Sequence, residues 1–255
     1  MLTGRTAIIT GGTSGIGLAI ARSFAKAGAA IGIVTRSPEA DLASVIAELE
    51  ALGVAVAGAR ADISDIDAVA AAIKNLQGQL GTVDILVNNA GIWAPNPMPM
   101  TSLELFERHI DINIKGTFYV TNQVLPAMIA AGKGVIINIS SVSGVAGRSG
   151  DSAYSVSKAG IIMLTKTLAA ELGSKGIRIN CLCPGAVATP INAVLRTAAG
   201  EGAIASLMAD HPSPSGRYFM EPEDMAEIAL FLASDASRAI HGAIITADEG
   251  LTATM

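Results

Sequence analysis

The chain has 255 residues, of which 51% are apolar and 15% charged, and it carries a net charge of -5. That length holds one large domain with a sizeable core, and the apolar bias suits a sheet buried on both faces better than a surface-rich helical bundle. The acidic balance, without a clustered basic face, argues against a nucleic-acid partner, and no apolar run is long enough to cross a bilayer.

Met1-Leu2-Thr3-Gly4-Arg5 lacks the segments of a signal peptide, so a cytoplasmic location is expected. Short β-branched runs then alternate with longer Ala- and Leu-rich patterns. Strands are predicted over Thr6–Thr10, Ala30–Thr35, Val54–Arg60, Val83–Asn88, Val135–Ser140, Ile177–Leu182 and Ala243–Ala247, with helices between them. Repeated βαβ units of this kind predict one α/β domain over 1–255, a doubly wound sheet of about seven parallel strands with helices on both faces. Ligands of such a sheet bind at the carboxyl ends of the strands.

The first strand runs into Thr10-Gly11-Gly12-Thr13-Ser14-Gly15-Ile16-Gly17, which opens a helix over Leu18–Ala27. Its glycines permit a tight turn and let backbone N–H groups and the helix N-terminus approach a pyrophosphate, so Gly11, Thr13, Ser14, Gly15, Ile16 and Gly17 are cofactor candidates. An NAD-selective site places a carboxylate at the end of the second strand; this chain has Thr35, Arg36 and Ser37 there. Arg36 can pair with a 2'-phosphate that Thr35 or Ser37 also contacts, so NADP(H) is favoured, with NAD(H) possible because Glu39 and Asp41 stand close by. Asp62 with Ile63 after strand three, and Asn88, Asn89, Ala90 and Gly91 after strand four, fall further along the same crevice.

Trp93 and the turn-rich Pro95-Asn96-Pro97-Met98-Pro99 follow, placing Trp93 near the mouth of the site as a substrate wall. Ser143, Arg148 and Asp151 lie ahead of Tyr154 and could each face the pocket, Ser143 as a substrate contact; Arg148 could hold a carboxylate, although a solvated surface position is the stronger expectation. Tyr154 and Lys158 are four residues apart at the head of a helical run, Ala159 to Leu172, which stacks them on one face. Such a spacing arises freely by chance, but an ammonium beside a phenol lowers its pKa from about 10 and equips the pair for acid-base work. Cys181 and Cys183 point to one face of a strand as a reduced, buried pair, and His109, His211 and His241 are scattered, so no metal is assigned. The segment 184–222 breaks the alternation and reads as a substrate lid, with Leu195, Leu207, Met208, Tyr218, Phe219 and Met220 as an apolar cover.

In order, the Thr10 to Gly17 loop, Asp62, Asn88-Asn89-Ala90-Gly91, Asn113, Ser141, Tyr154 with Lys158, and Pro184-Gly185 with Thr189 resemble the short-chain dehydrogenase/reductase family, in its shorter subtype. The resemblance spans essentially the whole chain, and the glycine spacing is that of the family's oxidoreductases rather than its epimerases. It implies a Rossmann-like fold and hydride transfer between a nicotinamide cofactor and a carbonyl or secondary alcohol. Tyr154 is then the proton donor or base, Ser141 binds the substrate oxygen with Ser140 as its competitor, and Lys158 tunes the phenol and holds the nicotinamide ribose. Asn113 is the asparagine that supports a helix kink and a water relay, and Pro184, Gly185, Val187 and Thr189 border the nicotinamide. The resemblance also implies a homotetramer and a small-molecule substrate. A 3-oxoacyl-carrier-protein reductase, an NAD-dependent alcohol or sugar dehydrogenase, and a cofactor-binding scaffold without turnover are the alternatives; Lys115, Arg148 and Arg217 do not clearly form the basic docking surface that the first requires. Glu249 stands in Asp248-Glu249-Gly250 where the family commonly has glycine.

Overall fold

The computed structural model describes residues 1–196, 202 and 213–254. Seven parallel strands form one sheet in the order β3-β2-β1-β4-β5-β6-β7, a Rossmann-like arrangement. They are β1 Thr6–Thr10, β2 Ala30–Thr35, β3 Val56–Arg60, β4 Ile85–Asn88, β5 Gly134–Ile139, β6 Ile177–Pro184 and β7 Ile244–Ala247. All seven predicted strands are present, and their ends differ from the prediction by no more than two residues. Strand ends are the part that local sequence determines least.

The helices are α1 Gly15–Lys26, α2 Glu39–Glu50, α3 Ile66–Leu80, α4 Leu103–His109, α5 Thr117–Ala131, α6 Ser152–Leu172 and α7 Pro222–Ala233. Alternation along each strand sends neighbouring side chains to opposite faces of the sheet. Ala7 and Ile9 of β1 join Ile31, Ile33 and Val87 under α1, α2 and α7, where Phe24, Leu42, Leu49 and Met225 are buried. Ile8 of the same strand turns the other way, to Leu86, Ile136 and Ile179 under α3, α5 and α6, with Ile73, Val124, Met128 and Leu168. Each fully buried large side chain of this kind contributes about 1.5–3 kcal/mol, and the two cores hold the strand ends in fixed positions.

Several side-chain amides and hydroxyls inside these layers pair with one another, although Asn88 Oδ1 has no partner among the described residues. Asn88 Nδ2 donates to Thr121 Oγ1 of α5 and to Asn138 Oδ1 of β5, both at 2.9 Å, and Asn138 Nδ2 donates to Thr165 Oγ1 of α6 at 2.9 Å. Asn88 therefore ties α5 and α6 to the sheet, not to the crevice in which its sequence position placed it. Asp65 caps α3 by accepting from the N–H groups of Asp67 and Ala68 at 3.0 Å. Among the described residues no helix is long and apolar enough to cross a membrane.

Glu249 is the one non-glycine among the described residues with positive φ, at 57°. A side chain costs about 1–2 kcal/mol in that region, and Glu249 recovers only an exposed ion pair with Arg217 at 2.8 Å, worth about 0–1 kcal/mol. Replacing Glu249 by Gly should therefore raise stability by about 0.5–1 kcal/mol, read as a higher urea midpoint at unchanged slope.

Candidate active site

A cavity of about 360 Å³ runs across the carboxyl ends of the strands, from the glycine loop at one end to Trp93, Arg148 and Tyr218 at the other. The topology explains its position: the order reverses between β1 and β4, so the connections after these strands leave in opposite directions and open a crevice.

The glycine loop forms one wall. Gly11 (φ 68°) and Gly15 (φ 51°) take backbone angles that favour glycine. A Cβ on Gly17 would meet the Gly11 carbonyl oxygen at 2.3 Å and Asn89 Nδ2 at 2.4 Å, so Gly17 is needed for close packing beneath the loop and does not line the cavity. Asn89 Nδ2 donates to the Thr10 carbonyl at 2.9 Å, and the N–H groups of Asn89 and Ala90 donate to Thr10 Oγ1 at 3.0 Å, lacing the β1 and β4 loops together. Ser14 is the N-cap of α1 and makes no side-chain cap. With Gly15 and Ile16 in the cavity wall, the start of the helix is turned toward whatever binds there.

Beyond the loop, Thr13 Oγ1 contacts Thr35 Oγ1 at 2.9 Å and Ser37 Oγ at 2.7 Å. Arg36 lies at the rim, exposed, in an ion pair with Asp62 at 3.1 Å. Asp62 does not line the cavity, although Ile63 does. Burial acts to raise the Asp62 carboxyl, but hydrogen bonds from Ser64 and the Arg36 charge outweigh it and hold it below its ordinary value. Sequence reasoning missed Arg60, which faces Thr35 across the sheet and donates from Nε to the Ser37 carbonyl at 2.8 Å. Its place beside the end of β2 comes only from the pairing of β3 with β2.

At the other end, α6 begins at Ser152, seven residues before the predicted run, and carries Tyr154 in its first turn and Lys158 in its second. Ser141 leaves β5, accepts from the Ser143 N–H at 3.1 Å and hydrogen-bonds the Tyr154 phenol. Ser140, the competitor, also borders the cavity, but its hydroxyl donates to the Lys158 carbonyl at 2.7 Å. Lys158 Nζ sits 5.6 Å from the centroid of the Tyr154 ring and donates to the Ile139 carbonyl at 3.0 Å. The expected lowering of the phenol does not occur in this arrangement. Burial pushes Tyr154 up to about 12 against the opposing Ser141 hydrogen bond, and burial brings Lys158 down to about 8. Desolvation outweighs the mutual effect because the ammonium lies beside the ring.

Asn113 is fully buried in a π-helical turn, Ile110–Gly116, between α4 and α5. Its Oδ1 accepts from the Ile92 N–H at 2.8 Å, and its Nδ2 donates to the Ile92 carbonyl at 3.1 Å and to Ser157 Oγ at 2.9 Å. The irregular turn is thus braced against α6, next to Gly91, where a Cβ would come within 3.4 Å of Lys158 Nζ. His109, also missed, packs edge-on to Tyr154 at 6.2 Å; its Nδ1–H donates to the Leu105 carbonyl and its Nε2 accepts from the Ala94 N–H.

Pro184, Gly185, Val187 and Thr189 border the middle of the cavity. Asn192, a further omission, holds this bend by donating to the Val187 carbonyl at 2.8 Å. Val187 and Met220 form a parallel bridge that pins the base of the 184–222 segment. Leu195 and Tyr218 line the cavity, Met220 is buried, and Leu207, Met208 and His211 lie outside the described residues. Met98 and Met100, which follow Trp93 in the chain, are exposed on a surface turn. Trp93 lines the cavity and donates from Nε1 to Asp151 Oδ1 at 2.9 Å, while Ser143 Oγ contacts Asp151 Oδ2 at 3.4 Å. Arg148 is not simply solvated: it lines the cavity and donates to the Tyr218 hydroxyl at 3.2 Å. Cys181 and Cys183 are buried free thiols 3.8 Å apart; their hydrogen bond and their burial push the Cys181 thiol well up.

A crevice across the strand ends, a glycine loop at a helix start and a Ser-Tyr-Lys cluster are the features of a nicotinamide-dependent oxidoreductase of the doubly wound class. The short chain dehydrogenase family model matches residues 5–200, and the chain belongs to that family. It is 41% identical over 253 residues to the oxidoreductase UcpA of Escherichia coli, covering 98% of this chain and 95% of the relative. It is 38% identical over 250 residues to the 3-oxoacyl-[acyl-carrier-protein] reductase FabG of Thermotoga maritima, covering 98% of both. Among solved structures, one described as an NAD(P)-dependent gluconate 5-dehydrogenase from Beutenbergia cavernae, with NADP bound at low occupancy, superimposes with a TM-score of 0.91 at 36% identity, over 99% of this chain and 98% of that one.

Proposed function

We propose that this oxidoreductase interconverts a ketone and a secondary alcohol using NADP(H), with Tyr154 as the acid and base. The observation that carries the reading is the convergence of the Tyr154 phenol, the Ser141 hydroxyl and the Lys158 ammonium on one cavity whose far end is the glycine loop. The residues suit the cofactor: left-handed glycines at Gly11 and Gly15, the open start of α1 and the cluster of Thr13, Thr35 and Ser37 form a cradle with room for a pyrophosphate and ribose. Bound there, the nicotinamide supplies or takes up the hydride.

The chain itself handles orientation and protons. Ser141 and Tyr154 donate hydrogen bonds to the carbonyl oxygen, and the phenol releases its proton to that oxygen during reduction. Lys158 holds a positive charge beneath the ring and reaches the ribose side of the cavity, and Asn113 keeps the π-helical turn beside it. Thr189 and Val187 would hold the carboxamide edge, and Trp93, Leu195 and Tyr218 would border the substrate. NADPH oxidation assayed against ketones, sugars and acyl thioesters tests the reading, and no turnover with any of them would overturn it.

Cofactor choice turns on Arg36. Releasing Asp62 costs an exposed ion pair of about 0–1 kcal/mol, whereas a charge-assisted bond to a 2'-phosphate contributes about 1.5–3 kcal/mol, and Arg60 adds a second cation. Arg36→Asp should therefore weaken NADPH binding by about 10–100-fold and NADH binding far less. Equal losses for both would remove phosphate recognition. The likeness to the Thermotoga maritima enzyme favours one second reading, reduction of a 3-oxoacyl thioester on a carrier protein, which the thioester arm of the assay decides. Exposed Phe118 on α5 and Val156 and Met163 on α6 support a homotetramer packed through these helices.

A further inference from the structure

The outer end of the cavity carries a charged group that the proposed hydride chemistry does not use. Arg148 comes from the loop between Ser143 and α6, and Tyr218 from the segment leading into α7; their 3.2 Å contact joins the two sides of the mouth. A guanidinium only donates, so the Tyr218 oxygen is the acceptor and its own O–H remains able to donate elsewhere. Among the described residues Arg148 forms no ion pair, whereas Arg22, Arg36 and Arg217 each do. The carboxylate that shares the cavity, Asp151, is buried and accepts from the Trp93 indole and the Ser143 hydroxyl.

From this arrangement we infer that Arg148 and Tyr218 form an anion subsite and that the substrate bears a carboxylate remote from the carbon that reacts. The inference rests on the dehydrogenase reading only for the word substrate; the subsite stands on the geometry. A planar guanidinium fork matches a carboxylate, and the Tyr218 hydroxyl adds a further donor. The local charge also selects the kind of anion. A monoanion is matched by the single Arg148 charge at this end of the cavity, while a phosphate dianion would keep one charge unmatched beside Asp151. Trp93 beside this subsite suits a compact apolar body between the carboxylate and the reacting carbon.

Trp93 is the chain's sole tryptophan and lines the cavity, so its fluorescence reports occupancy without turnover. The protein saturated with NADP+ is titrated with cyclohexanecarboxylate and with its methyl ester. The acid should bind about 10–100-fold more tightly than the ester. Arg148→Met should bring the two within about threefold of each other, and Arg148→Lys, which keeps the charge and loses the fork, should fall between. Equal affinity of acid and ester for the wild-type protein, or an undiminished ratio in folded Arg148→Met, overturns the subsite. Failure to oxidise NADPH with every ketone counts against the dehydrogenase reading alone, because the fluorescence ratio does not depend on it.

Discussion

Tyr154→Phe is expected to lower kcat by about 10²–10⁴-fold, the range of a positioned acid or base, with NADPH affinity close to that of the wild-type protein. The substitution removes one oxygen and keeps the ring that packs edge-on against His109 at 6.2 Å. Loss of both binding and turnover would point to a collapsed site; normal turnover would sink the assignment. Direction and pH follow from the phenol's environment. Burial raises Tyr154 to about 12 in the ligand-free protein, so at neutral pH the phenol holds its proton and is ready to protonate a carbonyl. Alcohol oxidation needs the opposite state and requires the phenolate to be stabilised by the charges that gather around it, Lys158 foremost. Oxidation should thus accelerate as pH rises and reduction should slow across the same bound-state pKa. Steady-state rates in both directions between pH 6 and pH 11 would measure this, and parallel profiles would contradict it.

Lys158→Met is expected to separate activity from stability, lowering turnover by about 100-fold or more while making the protein more stable at pH 7 by roughly 1–3 kcal/mol. Lys158 is 4% exposed, and its ammonium donates to a single described acceptor, the Ile139 carbonyl at 3.0 Å. The fold therefore bears a desolvation cost that methionine, of similar length, removes. The sign follows from linkage. Lys158 titrates near 8 in the folded protein and near 10.5 in the unfolded chain. Between those values the unfolded state binds more protons, so wild-type stability gains with pH across that window and the penalty is fully present below about pH 8. The difference between variant and wild type should accordingly shrink from pH 8 to pH 10.5, read by urea unfolding at several pH values. A variant less stable than wild type at pH 7 would show that the ammonium contributes more to packing than its burial costs.

Much of the architecture was legible because it rests on local chemistry. β-branched runs between Ala- and Leu-rich helices dictate seven parallel strands, and the glycines at Gly11 and Gly15 announce a turn with positive φ. Asn192, Arg60 and His109 were not legible in this way. Asn192 acts on a carbonyl five residues back around a bend, Arg60 acquires its place only when β3 pairs with β2, and His109 meets Tyr154 only when α4 packs on α6. The neighbours of Arg60 and His109 are set by packing over long sequence separations and that of Asn192 by an irregular bend, and no period or spacing along the chain encodes either.

The electrostatics divide in the same way. Sequence alone determined the family and the order of the strands' motifs, and it singled out Tyr154, Lys158 and Ser141, with Ser140 as competitor, as candidates, because each is a residue type at a set distance from a strand end. Only the tertiary structure decided that Lys158 lies beside the Tyr154 ring with its ammonium on a backbone carbonyl, that Asp62 leaves the cavity to hold Arg36, and that Arg148 turns inward to Tyr218. The physical reason is that a side chain's charge state and direction depend on which neighbours desolvate it, and those neighbours come from elements far apart in the chain.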